Sequence, residues 1–126
     1  MTFRVHGVHH VAIIVGDLDE ARRFYCDALC LEDIDRPDFA SDGFWVRVGG
    51  QQLHVSLGDE DPPRRNHFAL LVEQLDAALS HLIAMQLPVH RGAEIDGAGL
   101  QAFVRDPFGN LIELNQQVPT DRRSPS

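Results

Sequence analysis

One segment of this chain is written twice. A shift of 57 residues, from His10 to His67, lays His10-Val11-Ala12-Ile13-Ile14-Val15-Gly16-Asp17-Leu18-Asp19-Glu20-Ala21 on His67-Phe68-Ala69-Leu70-Leu71-Val72-Glu73-Gln74-Leu75-Asp76-Ala77-Ala78. Six of the twelve positions are identical, and three more keep bulky apolar character. A repeat on this scale in a chain of 126 residues predicts two supersecondary units of one design. A histidine repeated at a repeated strand is also the first chemical clue.

The first unit opens with Val8 to Val15, rich in β-branched residues and free of breakers, which predicts a strand. Strand alternation puts His10, Ala12 and Ile14 on one face and turns His9 away from His10, so His9 reads as structural. Asp17 is placed to cap a helix over Leu18 to Leu31. There Leu18, Ala21, Tyr25, Ala28 and Leu29 recur at helical spacing, and Asp19, Glu20, Arg22, Arg23 and Asp27 are left for solvent. Cys26 and Cys30, four apart, fall on one face of that helix and read as small buried hydrophobes rather than a disulfide or half a zinc site. A weak strand signal near Asp33 to Pro37 precedes a hairpin of Phe44 to Val48, a Gly49-Gly50 turn, and Gln52 to Leu57.

Gly58 to Asn66, charged and broken by two prolines, reads as a linker. After it come a strand from His67 to Val72, a helix striped by Leu75, Ala78, Leu79, Leu82 and Ile83 that ends before Pro88, a short strand Val89 to Arg91, and a hairpin. That hairpin runs Leu100 to Val104, then Asp106-Pro107-Phe108-Gly109-Asn110 as a tight turn, then Leu111 to Asn115. Each half therefore reads β-α-β-β-β. The expected organisation is a single α+β domain over 1–126: module one at about 5–58, the linker at 58–66, module two at about 67–118, and a polar tail at 119–126.

The hairpins carry the duplication into chemistry. Val46-Arg47 lies on Val104-Arg105, and a first turn shorter by one residue makes His54 the counterpart of Glu113. Packing about an approximate two-fold axis would bring His10, His54, His67 and Glu113 together. Three imidazoles and one carboxylate suit one divalent ion such as Fe2+, Mn2+, Ni2+ or Zn2+ better than Ca2+ or Mg2+, which prefer oxygen. His6, His81 and His90 read as surface residues. Arg36, Arg47, Arg91 and Arg105 could hold a substrate carboxylate, with solvation as the default for each.

Composition narrows the partners. A hydrophobic share of 44% supports one core without disulfides, and a formal charge of −8 argues against nucleic acid. The longest apolar runs, Val11 to Val15 and Phe68 to Val72, are strand-sized, which argues against a membrane span. With no basic-apolar-small signal at the N-terminus, the expectation is a cytoplasmic protein.

With these residues in view, the chain resembles a small member of the vicinal oxygen chelate superfamily, the glyoxalase/bleomycin resistance/dioxygenase group, over about Gly7 to Gln116. The motifs that carry the resemblance are His10 seven residues before Asp17, His67-Phe68-Ala69-Leu70, and Asp106-Pro107-Phe108-Gly109-Asn110 with Glu113 seven beyond Asp106. The resemblance implies paired βαβββ modules whose curved mixed sheets enclose a metal cavity. It also implies His10, His67 and Glu113 as metal ligands, and His54 where glyoxalase-like members carry a fourth ligand that is Glu or Gln. A histidine there departs from the pattern and leaves His54 as either a ligand or a cavity-lining residue.

The chemistry implied is Lewis-acid binding of two neighbouring substrate oxygens, with a small-molecule substrate and a homodimer as the usual assembly. Four reactions fit unequally. A glyoxalase or isomerase-like lyase needs a base beside the metal, and Glu113 is the only carboxylate among the four symmetric positions. An extradiol dioxygenase would use the same two-histidine, one-carboxylate set on Fe2+, but its usual His and Tyr acid/base partners cannot be placed, since the only tyrosine, Tyr25, lies on the first helix. A fosfomycin-type thiol transferase is disfavoured because Ala12 stands where that branch has a catalytic threonine, and because no potassium loop is recognisable in Ala93 to Gly99. Non-catalytic sequestration of a cationic drug, as in bleomycin-resistance proteins, ranks below catalysis because those proteins generally lack the ligands kept here.

Overall fold

The computed structural model describes residues 2–118; the tail from Pro119 to Ser126 lies outside the described residues. The chain divides into two compact units, Met1–Pro62 and Pro63–Ser126, and the division falls within the proline-broken stretch Gly58 to Asn66.

In the first unit, strand β1 (His10–Val15) leads into helix α1 (Leu18–Arg22), which continues as a π-helical segment, Arg23–Ala28. Strands β2 (Glu32–Ile34), β3 (Gly43–Val48) and β4 (Gln51–Leu57) follow. They form one sheet in the order β1-β4-β3-β2, with β1 parallel to β4 and the other pairs antiparallel. The second unit repeats this plan with β5 (His67–Leu71), helix α2 (Leu75–Ala84), β6 (Val89–Arg91), β7 (Leu100–Arg105) and β8 (Leu111–Gln116), in the order β5-β8-β7-β6. Two mixed four-stranded sheets, each with its own helix, make this an α+β protein of two βαβββ modules.

Each sheet has a covered face and an open face, because side chains alternate along every strand. In unit one, Val15, Phe44, Val46, Leu53 and Val55 are buried, as are Ala21, Phe24, Tyr25 and Ala28 of the helix. The Arg22 guanidinium lies 4.4 Å over the Phe44 ring and ties the helix to that face. In unit two, Leu70, Val104, Ile112 and Leu114 are buried, and so are Leu75, Leu79 and Leu82 of α2, which packs on β6, β7 and β8. Burying each such side chain contributes about 1.5–3 kcal/mol, so the helices are fixed by packing more than by propensity.

The helix caps differ between the units. Asp17 caps α1 by accepting from the Glu20 N–H at 2.8 Å, as its position before the helix predicts. Helix α2 has Gln74 at the N-cap with no side-chain cap bond of its own. Instead the Leu75 N–H donates to Gln116 Oε1 on β8 at 2.7 Å, a bond across 41 residues that local sequence does not reveal.

Three details depart from the sequence reading. Strand β1 begins at His10 rather than Val8: its parallel ladder with β4 opens at the His10–Gln52 pair, and Val8 falls opposite the Gly49-Gly50 turn, where β4 has not yet begun. The first helix ends at Ala28, not Leu31, after switching to π geometry, in which the Leu29 N–H reaches back to the Phe24 carbonyl at 2.9 Å. Phe24 and Tyr25 are both inside, beside Ala21 and Ala28, whereas the apolar stripe read from sequence included Tyr25 and left out Phe24. Cys30 consequently lies past the helix with φ 61, exposed, while Cys26 is half-buried, so the two do not share a helical face and Cys30 is not a buried hydrophobe.

Candidate metal-ligand pairs and cavity

The pairing registers place the duplicated residues at equivalent points of the two open faces. Across the first sheet, Ala12, His54, Trp45 and Ile34 form one row; across the second, Ala69, Glu113, Phe103 and His90 form its counterpart. His10 and His67 each sit two residues before the alanine, on the same faces. The equivalence of His54 and Glu113 inferred from the hairpins is therefore a fact of strand pairing.

In the second unit, His67 Nε2 lies 3.1 Å from Glu113 Oε1. His67 Nδ1 donates to the Arg65 carbonyl at 3.0 Å, which fixes the tautomer and turns the Nε2 lone pair toward the carboxylate. The other carboxylate oxygen, Oε2, accepts from Asn115 Nδ2 at 2.9 Å, and the same amide donates to the Ala98 carbonyl at 3.0 Å. Glu113 is 9% exposed, so both its oxygens are committed to named neighbours. A lone pair facing a carboxylate oxygen binds a cation, either a proton or a metal. Bonds of about 2.0–2.2 Å to nitrogen and oxygen put two adjacent ligand atoms of one ion roughly 3 to 3.4 Å apart, which matches the observed separation. Both residues have the outer partners that metal-binding His and carboxylate groups need. These residues thus fit a divalent ion in chemistry and spacing.

In the first unit the residues are arranged differently. The His10 and His54 rings stack with centroids 3.9 Å apart, and the Trp45 indole stacks on the other side of His54 at 3.7 Å. His54 Nε2 donates to Gln52 Oε1 at 2.8 Å. Burial first, then positive charge at His10, His9 and Arg36, pushes the His54 imidazole below its ordinary value. His9 does not point away from His10 as alternation implied; its Nδ1 is 2.9 Å from His10 Nδ1, because His9 precedes the strand and its ring is free to swing back. The four candidates therefore lie as two pairs, one in each unit, and among the described residues no group of three or more His, Cys, Asp or Glu side chains is placed to hold a metal ion.

The turn before Glu113 is a rigid knot. Asp106 Oδ1 accepts from the N–H groups of Phe108 and Asn110, and its Oδ2 accepts from Asn110 Nδ2 at 2.8 Å. Gly109 takes φ 95, a conformation that favours glycine. Asp106 and Asn110 are buried, so this segment anchors the hairpin that carries Glu113 and offers no reactive group to solvent.

The open face of the second sheet also borders a cavity of about 400 Å³, lined by Pro88, His90, Phe103, Val104, Arg105 and Leu111. Reading from sequence left His90 on the surface and missed the cavity; His90 is exposed, yet it forms part of this wall. His6 and His81 are exposed. Of the four arginines singled out, Arg47 pairs with Glu32 at 3.3 Å and Arg91 pairs with Asp76. Arg36 lies 4.8 Å from the centre of the Phe39 ring and donates to Ser41 Oγ at 3.3 Å. Arg105 donates to two backbone carbonyls, Gly109 at 2.8 Å and Arg64 at 2.9 Å.

Comparison with known proteins gives a consistent result. A family profile described as Glyoxalase/Bleomycin resistance protein/Dioxygenase superfamily matches residues 7–114. A Synechocystis protein named probable lactoylglutathione lyase is 31% identical over 121 residues, covering 85% of this chain and 92% of its own length. A Bacillus anthracis protein assigned to the glyoxalase family has a crystal structure that superposes with a TM-score of 0.86 at 28% identity, covering 94% of this chain and all of that one. The Listeria monocytogenes fosfomycin resistance protein FosX, solved with Mn(II) and dihydroxypropylphosphonic acid, superposes at 0.80 with 20% identity over 91% of this chain and 95% of its own. That last likeness is one of fold.

Proposed function

Because the chain belongs to the Glyoxalase/Bleomycin resistance protein/Dioxygenase superfamily, we propose that it is a metal-dependent enzyme of the glyoxalase-like lyase or isomerase type, acting on a small molecule with two vicinal oxygens. The observation that carries the reading is the His67–Glu113 pair at 3.1 Å, each partner oriented from behind. His67 and Glu113 supply two ligands and His10 a third, with His54 beside it. The relative named as a lactoylglutathione lyase favours proton movement next to a carbonyl over other chemistry of the superfamily.

A divalent ion held there would supply Lewis acidity, drawing the vicinal oxygens in and spreading the negative charge that develops on them. Glu113 is the carboxylate that would take the proton from the neighbouring carbon, with Oε2 oriented by Asn115 and Oε1 facing His67. The Arg65 carbonyl keeps His67 in the tautomer that leaves Nε2 unprotonated. The low exposure of Glu113 limits competition by water for the same proton. A dioxygenase is less well served, because the sole tyrosine, Tyr25, is fully buried in the first unit's core and is remote from solvent as an acid or base.

The assembly that suits this reading is a homodimer. Phe3 and Val5 ahead of β1, and Leu71 on β5, are 86%, 78% and 75% exposed, and both strands are edges of their sheets. Light scattering at micromolar concentration should report a dimer, and a monomer alone removes it.

Elemental analysis combined with a hemithioacetal lyase assay tests the function. The expected result is about one divalent ion per chain after incubation with Fe2+, Mn2+, Ni2+ or Zn2+, and turnover that chelators abolish. Protein that stays metal-free in all four sinks both the ligand set and the enzyme reading.

A further inference from the structure

Resting on the metal-site reading above, we propose that the cavity beside His67 and Glu113 is an anion subsite in which Arg105 receives a carboxylate carried on a flat apolar body, so that the substrate is a compact organic acid. The duplication supplies the argument. Arg47 and Arg105 are counterparts, one on β3 and the other on β7. Arg47 faces Glu32 across β2, and the acid neutralises it at 3.3 Å. In the second unit, Val89 pairs with Val104 and His90 with Phe103. One residue further along that register, Pro88 comes opposite Arg105 in the place of the glutamate. Pro88 and Arg105 both line the cavity.

The exchange of an acid for a proline has two effects. It leaves the Arg105 charge without a carboxylate partner among the described residues, and it puts an apolar wall next to the guanidinium. The two carbonyls that hold Arg105, those of Gly109 and Arg64, fix its direction without cancelling its charge. They take two of its five N–H donors, which leaves three for a ligand. Phe103 and Leu111 supply flat and aliphatic surface beside it, and about 400 Å³ is enough for one ring and its side arm. The Phe103 ring also meets His67 edge-on with centroids 5.9 Å apart, so a body lying against Phe103 is already next to the ligand pair.

The test uses the full chain dialysed free of metal, titrated calorimetrically at pH 8 with phenylacetate and with its neutral analogue phenylacetamide. The wild type should bind the acid roughly ten- to hundredfold more tightly than the amide, the range expected for hydrogen bonds to a charged group. Arg105→Met keeps the stem and should erase that preference. Because it also releases the Gly109 and Arg64 carbonyls, Pro88→Glu is the second variant: it leaves Arg105 in place, restores the acid of the first unit, and should erase the preference as well. Equal binding of acid and amide by the wild type, binding of neither, or a preference that survives both substitutions overturns the subsite. Mn(II) titration of the same three proteins separates the two readings. Manganese uptake should be the same in all three; a wild type that ignores manganese but prefers the acid loses the metal site and keeps the subsite.

Discussion

The two modules share a topology, a register and a leading histidine, yet they fill their open faces in opposite ways. In the first, cross-strand neighbours close on one another: Trp45 on His54, His54 on His10, and Arg47 on Glu32. In the second, the counterparts are Phe103, Glu113, His67 and Arg105; the acid and imidazole meet edge to edge, and a cavity stands beside them. Duplication thus supplied one scaffold twice, and the side chains divided the work. The first face holds an imidazole in place by stacking; the second carries the carboxylate and the cavity.

The largest effect that sharpens this contrast is at Glu113. Glu113→Gln keeps the shape and the Asn115 contact but removes the charge, so proton-transfer turnover should fall by roughly 10²- to 10⁴-fold, with weaker metal binding besides. The same product at the counterpart position, His54→Gln, should leave turnover within about tenfold to hundredfold of the wild type, as outer partners do. Equal losses in the two variants, measured as kcat/KM, would mean that the modules do not differ in role.

Next in size is the pair of leading histidines. His10→Ala and His67→Ala should each weaken metal binding by more than the roughly 10 to 100-fold set by His54→Ala, and by similar amounts, since both hold the same register position. The stack bears on this ordering. Stacked rings with centroids 3.9 Å apart hold their in-plane lone pairs in separate, nearly parallel planes, so His10 and His54 do not aim at one ion together in this arrangement. A metal titration in which His54→Ala abolishes binding while His10→Ala spares it reverses the assignment. His9, whose Nδ1 touches that of His10, would then be the next ligand to examine.

How much of this was legible beforehand follows from the range of each interaction. The strands and the equivalence of His54 with Glu113 are encoded in alternation and in a duplicated spacing, both of which survive without tertiary knowledge. The π turn at Arg23–Ala28 is not, since its residues would suit an α-helix equally well and tertiary packing decides. Nor is the role of His9, which depends on where the β1 ladder begins, a matter set by pairing with Gln52, which is 42 residues beyond His10. The cavity escaped for a different reason: its wall includes Pro88, a proline in one module at the place of a glutamate in the other. That comparison has meaning only once β2 and β6 are known to share a register, and each is three residues long.

A smaller effect should appear in stability. Trp45→Leu keeps apolar bulk but removes the indole from the stack, and an aromatic pair contributes about 0.5–1.5 kcal/mol beyond its buried area. For a chain of 126 residues that is a fall in Tm of only a few degrees. The companion change Phe103→Leu, at the equivalent place on β7, removes one edge-on contact with His67, whereas Trp45→Leu removes both the stack on His54 and the contact with Phe39, so the Phe103 change should lower Tm less. Calorimetry that finds the two equal would show that the stack adds nothing beyond packing.

The smallest expected effect is the pH dependence that the stack gives the first module. The His54 imidazole is held below its ordinary value of about 6.5 by burial foremost, and then by positive charge at His10, His9 and Arg36. In the unfolded chain the same group titrates near its ordinary value. Between the two values the unfolded state carries the extra proton, so stability rises with pH across that window. The contribution is complete above about pH 6.5 and is lost as the pH falls through the folded-state value. Denaturation of metal-free protein at a series of pH values should therefore show an acid limb beginning just below 6.5, and His54→Gln, which cannot take up a proton, should flatten it. A limb of unchanged slope in that variant would assign the acid sensitivity to other groups and leave the stack without an electrostatic role.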